Sequence, residues 1–476
     1  MRFAQRGRRL TLVATVLALV ATLAACSGDD EPGPAPSSSP SAKPIGLTVG
    51  VYGPDAEIEA WRAIVRSFNA EATSSRAKLV TWPSREAMLA DVRDGTPLPD
   101  LYLASRNDLP EVTERGLNQP VFELLDDRGI SYGDEFSATA LNAFSSDDNL
   151  QCMPYSASPM VMYYNTDLID FERMALRGLP VPGGERLGWS LNQLTAAAQF
   201  ASRPQRGIKG VSVEPTLRSL APFVYAGGGQ LFDDTVDPTS LTLSDDDTQE
   251  ALTAALEVLR DPQLTLSPEQ LDEASPVQWF KRGKLGMIEG FRDLTPELRK
   301  VDGLNFDAIS MPRLDDYATV GDYTGLCLSP GRALNKKADF LVHAISDESF
   351  SRVADTGYVV PVKTSVARSQ AFLQSLRQPE HAAVFNASID NIQLSPLSDS
   401  YTALGTAIGP LLEELFTTPV IEDLGPLTEQ IDEVSRSVLD PDYVPSPDVP
   451  SGSPSDGSSP TSSPSASPST SGNDGS

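Results

Sequence analysis

The chain has 476 residues and carries 37 Lys+Arg against 65 Asp+Glu, a net charge of -28. A surface this acidic repels phosphate backbones and excludes a nucleic-acid partner, and 2 histidines cannot build a histidine metal cluster. Apolar residues make up 40 % of the chain, low for one globular unit, so a folded core is diluted by polar segments.

The first 25 residues predict an export signal. Arg2, Arg6, Arg8 and Arg9 form a basic start, and residues 10–24 form an uncharged apolar run too short to span a bilayer. The run ends in Leu23-Ala24-Ala25-Cys26, which resembles the lipobox of bacterial lipoproteins. That resemblance implies cleavage before Cys26, lipidation of Cys26, and a protein held on the outer face of the bacterial cell membrane by its lipid anchor alone. Residues 26–46, with five Ser and five Pro among 27–46, predict an extended tether. At the other end 20 of the 34 residues of 443–476 are Ser or Pro, with no Lys or Arg. Such a segment buries too little apolar area to offset its ordering entropy, so a disordered tail is expected.

Between them, residues 47–442 exceed the size at which a single hydrophobic core stops growing, and two domains are expected. The pattern alternates strands and helices. Residues 47–52 (LTVGVY) read as a strand broken by Gly53-Pro54, and Ile58, Trp61, Ile64, Val65 and Phe68 then recur at helical spacing. Strands follow at 78–82, 100–104 and 159–164. Ser190 with Gln193 predicts a capping box before a Leu/Ala helix. Ser244 or the Asp residues after it open another helix, with Leu252, Leu256 and Leu259 inward, and strands are expected at 285–289 and 324–329. This order implies an α/β fold. Trp61, Phe68 and Trp189 read as core.

Motifs that carry catalysis are missing: no P-loop, no G-x-G-x-x-G, no H-E-x-x-H and no G-x-S-x-G. His343 falls in an expected helix and His381 in a polar stretch, neither beside a Ser or Cys that suggests a triad. Asp245-Asp246-Asp247 resembles a metal cluster, but at a helix start capping and the macrodipole explain it better. The expectation is therefore a chain that is not an enzyme, with no catalytic residue, metal or cofactor.

Six blocks in order resemble the extracellular solute-binding protein family 1, the sugar-type receptors of ABC importers. The most specific is 154–169 (PYSASPMVMYYNTDLI), where Tyr164-Asn165 and Ile169 match the family pattern, while Tyr155 and Phe171 depart from it. Gly188-Trp189, 225–233 (YAGGGQLFD), 280–290 (FKRGKLGMIEG), 335–348 and 357–361 follow in the family's order. The resemblance covers nearly all of 47–440. It implies a two-lobe periplasmic-binding-protein-like fold of type II, with a hinge and a ligand cleft between lobes. Lobe one is expected at 47–165 with 322–345, and lobe two at 166–321 with 346–442.

The function so implied is a membrane-anchored receptor. It would bind a carbohydrate or related polar solute as a monomer and deliver it to ABC permease subunits. The alternative is a non-transport surface lipoprotein, a sensor or adhesin, that keeps the fold. Alignment with maltose-binding-type members implies ligand contacts at Tyr52, Gly53, Ser105, Asn107 and Ser158, and aromatic platforms at Phe291 and Tyr401, with core packing as the alternative for those two. Ala104 stands where maltose binders tend to carry a Trp. With Cys26 given to lipid, Cys152 and Cys327 remain. In the resembled fold their segments are neighbouring strands near the hinge, which implies a disulfide; two separate buried thiols are the other possibility.

Overall fold

The structure is a computed structural model and describes residues 43–146, 149–397 and 400–444. The expected signal segment, the lipidation site Cys26, nearly all of the tether and the tail beyond residue 444 lie outside the described residues. Among the described residues no helix is long and apolar enough to cross a membrane.

The chain enters through β1 (Ile45–Tyr52), whose Leu47, Val49 and Val51 are buried at strand periodicity. Gly53 stops it at φ 140°, a region that favours glycine. Pro54 then precedes the helix Asp55–Glu71, which buries Ile58, Trp61, Ile64, Val65 and Phe68 as one apolar stripe. β2 (Ser75–Trp82) and β3 (Leu101–Ser105) both lie parallel to β1. The short β4 (Ser145–Ser146) and β5 (Asn149–Leu150) pair with each other. β6 (Met153–Pro159) and β7 (Val161–Asn165) follow with Met160 alone between them, and they belong to different sheets.

The capping box at Ser190 is formed, with Ser190 Oγ accepting from Gln193 N and the Gln193 side chain accepting from Ser190 N. At the acidic triplet the helix spans Asp246–Leu259, and Asp246 and Asp247 occupy its first turn where the macrodipole favours them. Asp245 is the N-cap but makes no side-chain cap hydrogen bond, so the dipole and not capping explains the triplet.

β8 (Lys209–Ser212), β9 (Leu285–Gly290) and β10 (Phe306–Ile309) complete a four-stranded sheet in the order β10-β7-β9-β8. β11 (Thr319–Leu328) returns the chain to the larger sheet and inserts antiparallel between β6 and β3. With β12 (Val360–Pro361) at one edge and β13 (Ile392–Gln393) beside the start of β11, the larger sheet has seven strands, six of them in the order β12-β6-β11-β3-β1-β2.

Two apolar cores result. Met160, Met162 and Tyr164 point into one, with the helices Leu191–Ala201, Leu217–Ala226, Asp246–Leu259, Tyr401–Thr417 and Gly425–Leu439. Val161 and Tyr163 point into the other, which runs on beneath the larger sheet. The expected lobe boundary at residue 346 differs from what is found. The helix Asp347–Ala354 packs on Asp55–Glu71, Phe350 stacks on Tyr155 at 4.6 Å, and β12 pairs with β6. Segment 346–367 therefore packs with the larger sheet, because its apolar stripe (Phe350, Val353, Ala354) is complementary to that core. Only the last two long helices return to the smaller sheet. Cys152, just before β6, and Cys327 on β11 are joined by a disulfide with Cα atoms 4.4 Å apart.

Candidate functional site: an interlobe cleft

The carboxyl ends of β8 and β9, the residues directly after β3 and the first residues of β11 line adjoining space, the arrangement in which open α/β sheets form binding crevices. Two adjoining cavities lie there, of about 380 and 440 Å³. They share Thr216 and Arg218, at the N-terminus of the helix Leu217–Ala226. Thr216 caps that helix by accepting from Ser219 N at 3.2 Å, so the position of Arg218 is set by the cap.

The first cavity has apolar walls (Leu217, Leu231, Phe232, Leu404) and a polar mouth of Arg106, Asn107, Arg218, Asp322 and Tyr401. Asp322 is its anchor. Ser105 Oγ donates to Asp322 Oδ2 at 2.7 Å and Tyr323 N donates to Oδ1 at 2.8 Å. Burial pushes the Asp322 carboxyl up, while these two hydrogen bonds and the charges of Arg218 and Arg85 oppose the rise. Arg106 is held by donating to Ser395 O at 2.9 Å. Tyr401 packs edge-on against Phe232 with ring centres 5.9 Å apart, and its hydroxyl donates to Pro396 O at 2.7 Å.

The second cavity is acidic, lined by Glu214, Glu289 and Asp293 with Phe291. Glu289 Oε1 accepts from Glu214 N at 3.1 Å, while its Oε2 lies buried near the Ser219 hydroxyl without a well-formed hydrogen bond. Burial pushes the Glu289 carboxyl up to about 7. Glu57, on the first helix of the chain, is also raised to about 7, by burial first and then by repulsion from Asp293. Both carboxylates bind a proton in the folded state that the unfolded chain releases at its ordinary value of 4.5. Stability is thus expected to fall as pH rises from about 4.5 to about 7 and to stop changing on their account above that. Thermal unfolding across this window, compared between the parent and Glu57→Gln/Glu289→Gln, checks it: equal slopes would show that neither group titrates as described.

The residues expected from sequence divide into three groups. Asn107 and Tyr401 line the first cavity and Phe291 the second. Phe291 is not an open platform, because the Arg218 guanidinium lies over its ring at 4.1 Å. Ser105 is 3 % exposed and acts through Asp322. Tyr52 stands close enough to Asp322 and Asp108 that their charges add to burial in raising its phenol. Gly53 backs Glu57, whose carboxyl carbon would lie 3.6 Å from a Cβ placed there. Ser158 pairs with Asp322 across the β6–β11 ladder and lines neither cavity.

Arg106, Arg218, Asp322 and Glu289 were not anticipated. Glu289 leaves a signal, a carboxylate ending an otherwise apolar strand, and Asp322 is the one charged residue of its strand. Arg218 lies in the first turn of a helix capped by Thr216, a few residues after the end of β8, a position that aims at a crevice.

Outside the cleft, Asp307, Glu380 and His381 bring ligand-type atoms within 4.8 Å of one another. The Asp307 oxygens are already committed, accepting from Tyr164 OH at 3.1 Å and from His381 N at 2.9 Å, with His381 Nδ1 at 2.5 Å. These contacts read as a latch holding residue 381 to β10.

Comparison with known proteins agrees with this architecture. The profile of a family described as bacterial extracellular solute-binding protein matches residues 64–379. No protein with a curated description matches the chain. Among solved structures, the ABC substrate-binding protein Lmo0181 from Listeria monocytogenes, in complex with cycloalternan, is 17% identical with a TM-score of 0.66, over 83% of this chain and 99% of that one. The GacH receptor of Streptomyces glaucescens, studied unliganded and with acarbose, is 18% identical with a TM-score of 0.62, over 84% and 100%. A cyclic alpha-maltosyl-1,6-maltose binding protein from Arthrobacter globiformis is 16% identical with a TM-score of 0.64, over 83% and 99%. Likeness at this level of identity shows a shared two-lobe fold.

Proposed function

Because the chain belongs to the bacterial extracellular solute-binding proteins, we propose that it is the receptor of an ABC importer, binding a carbohydrate or related polar solute in the cleft and handing it to permease subunits. The observation that carries this reading is that both sheets contribute to one crevice. Arg106, Asn107 and Asp322 come from the larger sheet and its loops, and Thr216, Arg218 and Phe291 follow strands of the smaller one. A solute that touches both sides favours the closed form by its differential affinity for it. Charged donors and acceptors beside Phe232, Phe291 and Tyr401 suit a polyol, whose hydroxyls need directed hydrogen bonds while its C–H faces need apolar or aromatic surface. The saccharides named with the similar structures support the same class.

The test is calorimetric titration and thermal unfolding of the full chain, purified in detergent, against cycloalternan, maltose, acarbose and unrelated amino acids. A saturating sugar at about 100 times its Kd stabilises by about 2.7 kcal/mol. Absence of any saturable response to the saccharides would overturn the carbohydrate assignment. The reading includes a lipid anchor at Cys26. Acyl labelling of the parent is expected to vanish in Cys26→Ser, and labelling that persists would remove the anchor from the proposal.

A further inference from the structure

Arg218 is the second residue of the helix Leu217–Ala226, whose first turn holds no acidic residue. A cation there opposes the helix macrodipole, so helix stability does not account for it. Its side chain is exposed and lines both cavities of the cleft, about 380 and 440 Å³, so the space beside it is of the size that takes a small organic ligand. The Phe291 ring, 4.1 Å away, restrains the guanidinium from one face. Among the described residues the group makes no hydrogen bond and no ion pair, which leaves its N–H fork to a solute.

Arg106 directly follows β3, on the larger-sheet side of the first cavity. It donates through Nη1 to Ser395 O at 2.9 Å and, among the described residues, has no ion pair either. The first cavity therefore holds two arginines against one carboxylate, Asp322, whose oxygens already accept from Ser105 Oγ and Tyr323 N. Asp322, Asp293 and Glu289 act on Arg218 only through space, without a hydrogen bond to it. Burial raises all three carboxyls, Glu289 to about 7, which reduces their charge while the guanidinium keeps its own. An anion at this spot would also meet the favourable end of the helix dipole.

We propose that Arg218, assisted by Arg106, is the specificity residue for a carboxylate on the solute, so that the cleft prefers an acidic saccharide, one carrying a uronic acid, to its neutral counterpart. The proposal rests on the receptor reading above and names the class of sugar within it. A guanidinium fork matches a carboxylate with two parallel hydrogen bonds. A phosphate ester fits less well, because its second negative charge meets the field of Asp322, Asp293 and Glu289. Asp322 remains the acceptor for ring hydroxyls.

The test is calorimetric titration of the full chain, purified in detergent, with matched pairs: glucuronate and glucose, galacturonate and galactose, and maltose with its uronic-acid counterpart. Glucose 6-phosphate and galactose 6-phosphate are the phosphate arm. In the parent the acidic member of the pair that binds is expected to bind about 10–100-fold tighter than the neutral one, as hydrogen bonds between charged groups allow. That advantage is expected to shrink as sodium chloride is raised. In Arg218→Gln the ratio of acidic to neutral affinity is expected to collapse to about one, and in Arg218→Lys to recover only in part, since an ammonium keeps the charge but not the fork. Equal affinities within the pairs, a ratio unchanged in Arg218→Gln, or tighter binding of the phosphate esters each overturn the carboxylate assignment and leave the carbohydrate reading standing. Saturable binding of no saccharide, acidic or neutral, overturns the carbohydrate reading and this proposal with it. If Arg218→Gln does not fold, the ratio in the parent and its salt dependence decide.

Discussion

Cys152→Ala/Cys327→Ala is expected to cost about 3–5 kcal/mol of stability. The bridge closes a loop across a sequence separation of 175, for which the loop-entropy account gives roughly 5 kcal/mol, with measured removals of native disulfides at about 2–5. Both cysteines are 0 % exposed, and alanine leaves no buried hydroxyl behind, so lost cross-linking dominates over lost packing. Unfolding entropy of about 2.1 cal/mol/K per residue, over a folded region of roughly 400 residues, converts this to a fall in Tm of about 4–6 °C. Scanning calorimetry of parent and variant measures it directly. A fall under about 1 °C would mean that the unfolded chain gains little freedom when the bridge is removed.

Asp322→Ala is expected to weaken solute binding about 10–100-fold. Hydrogen bonds to a charged group contribute about 1.5–3 kcal/mol, and this carboxylate is preorganised by Ser105 Oγ and Tyr323 N while it lines the first cavity. Tyr401→Ala is expected to cost less, about 2–13-fold, from the loss of an aromatic face contributing about 0.5–1.5 kcal/mol beyond its area. Titration with whichever saccharide binds the parent separates the two. Unchanged affinity in Asp322→Ala with a depressed Tm would assign Asp322 to holding Ser105 and β3 rather than to the solute.

Local signals in the sequence carried much of the fold. The apolar stripe from Ile58 to Phe68, the Ser190 capping box and the strands ending at Tyr52 and Ser105 follow from spacing and turn chemistry within a few residues. Placement of 346–367 did not, because β12 is two residues long and its partner β6 lies about two hundred residues earlier. Phe291 was legible as an aromatic at the cleft. Its state was not, since the guanidinium over its ring comes from Arg218, on another element. Likewise Ser105 reads from sequence as a polar residue at a strand end, and only the β3–β11 pairing makes it the support of Asp322. Spacing along the chain identifies which faces are apolar, whereas contacts between distant strands decide which polar groups face a solute.

The position of β11 also sets an order on assembly. It lies between β6 and β3, so a chain emerging from its N-terminus cannot complete the larger sheet until residues 319–328 are present. The four strands of the smaller sheet, by contrast, all fall between residues 161 and 309. Through most of synthesis β3 and β6 therefore keep unpaired edges, the kind of surface that attracts other chains. Long-range pairings of this kind are slow to form. A nascent chain thus depends on remaining unfolded, or on being shielded, until more than two thirds of it has been made.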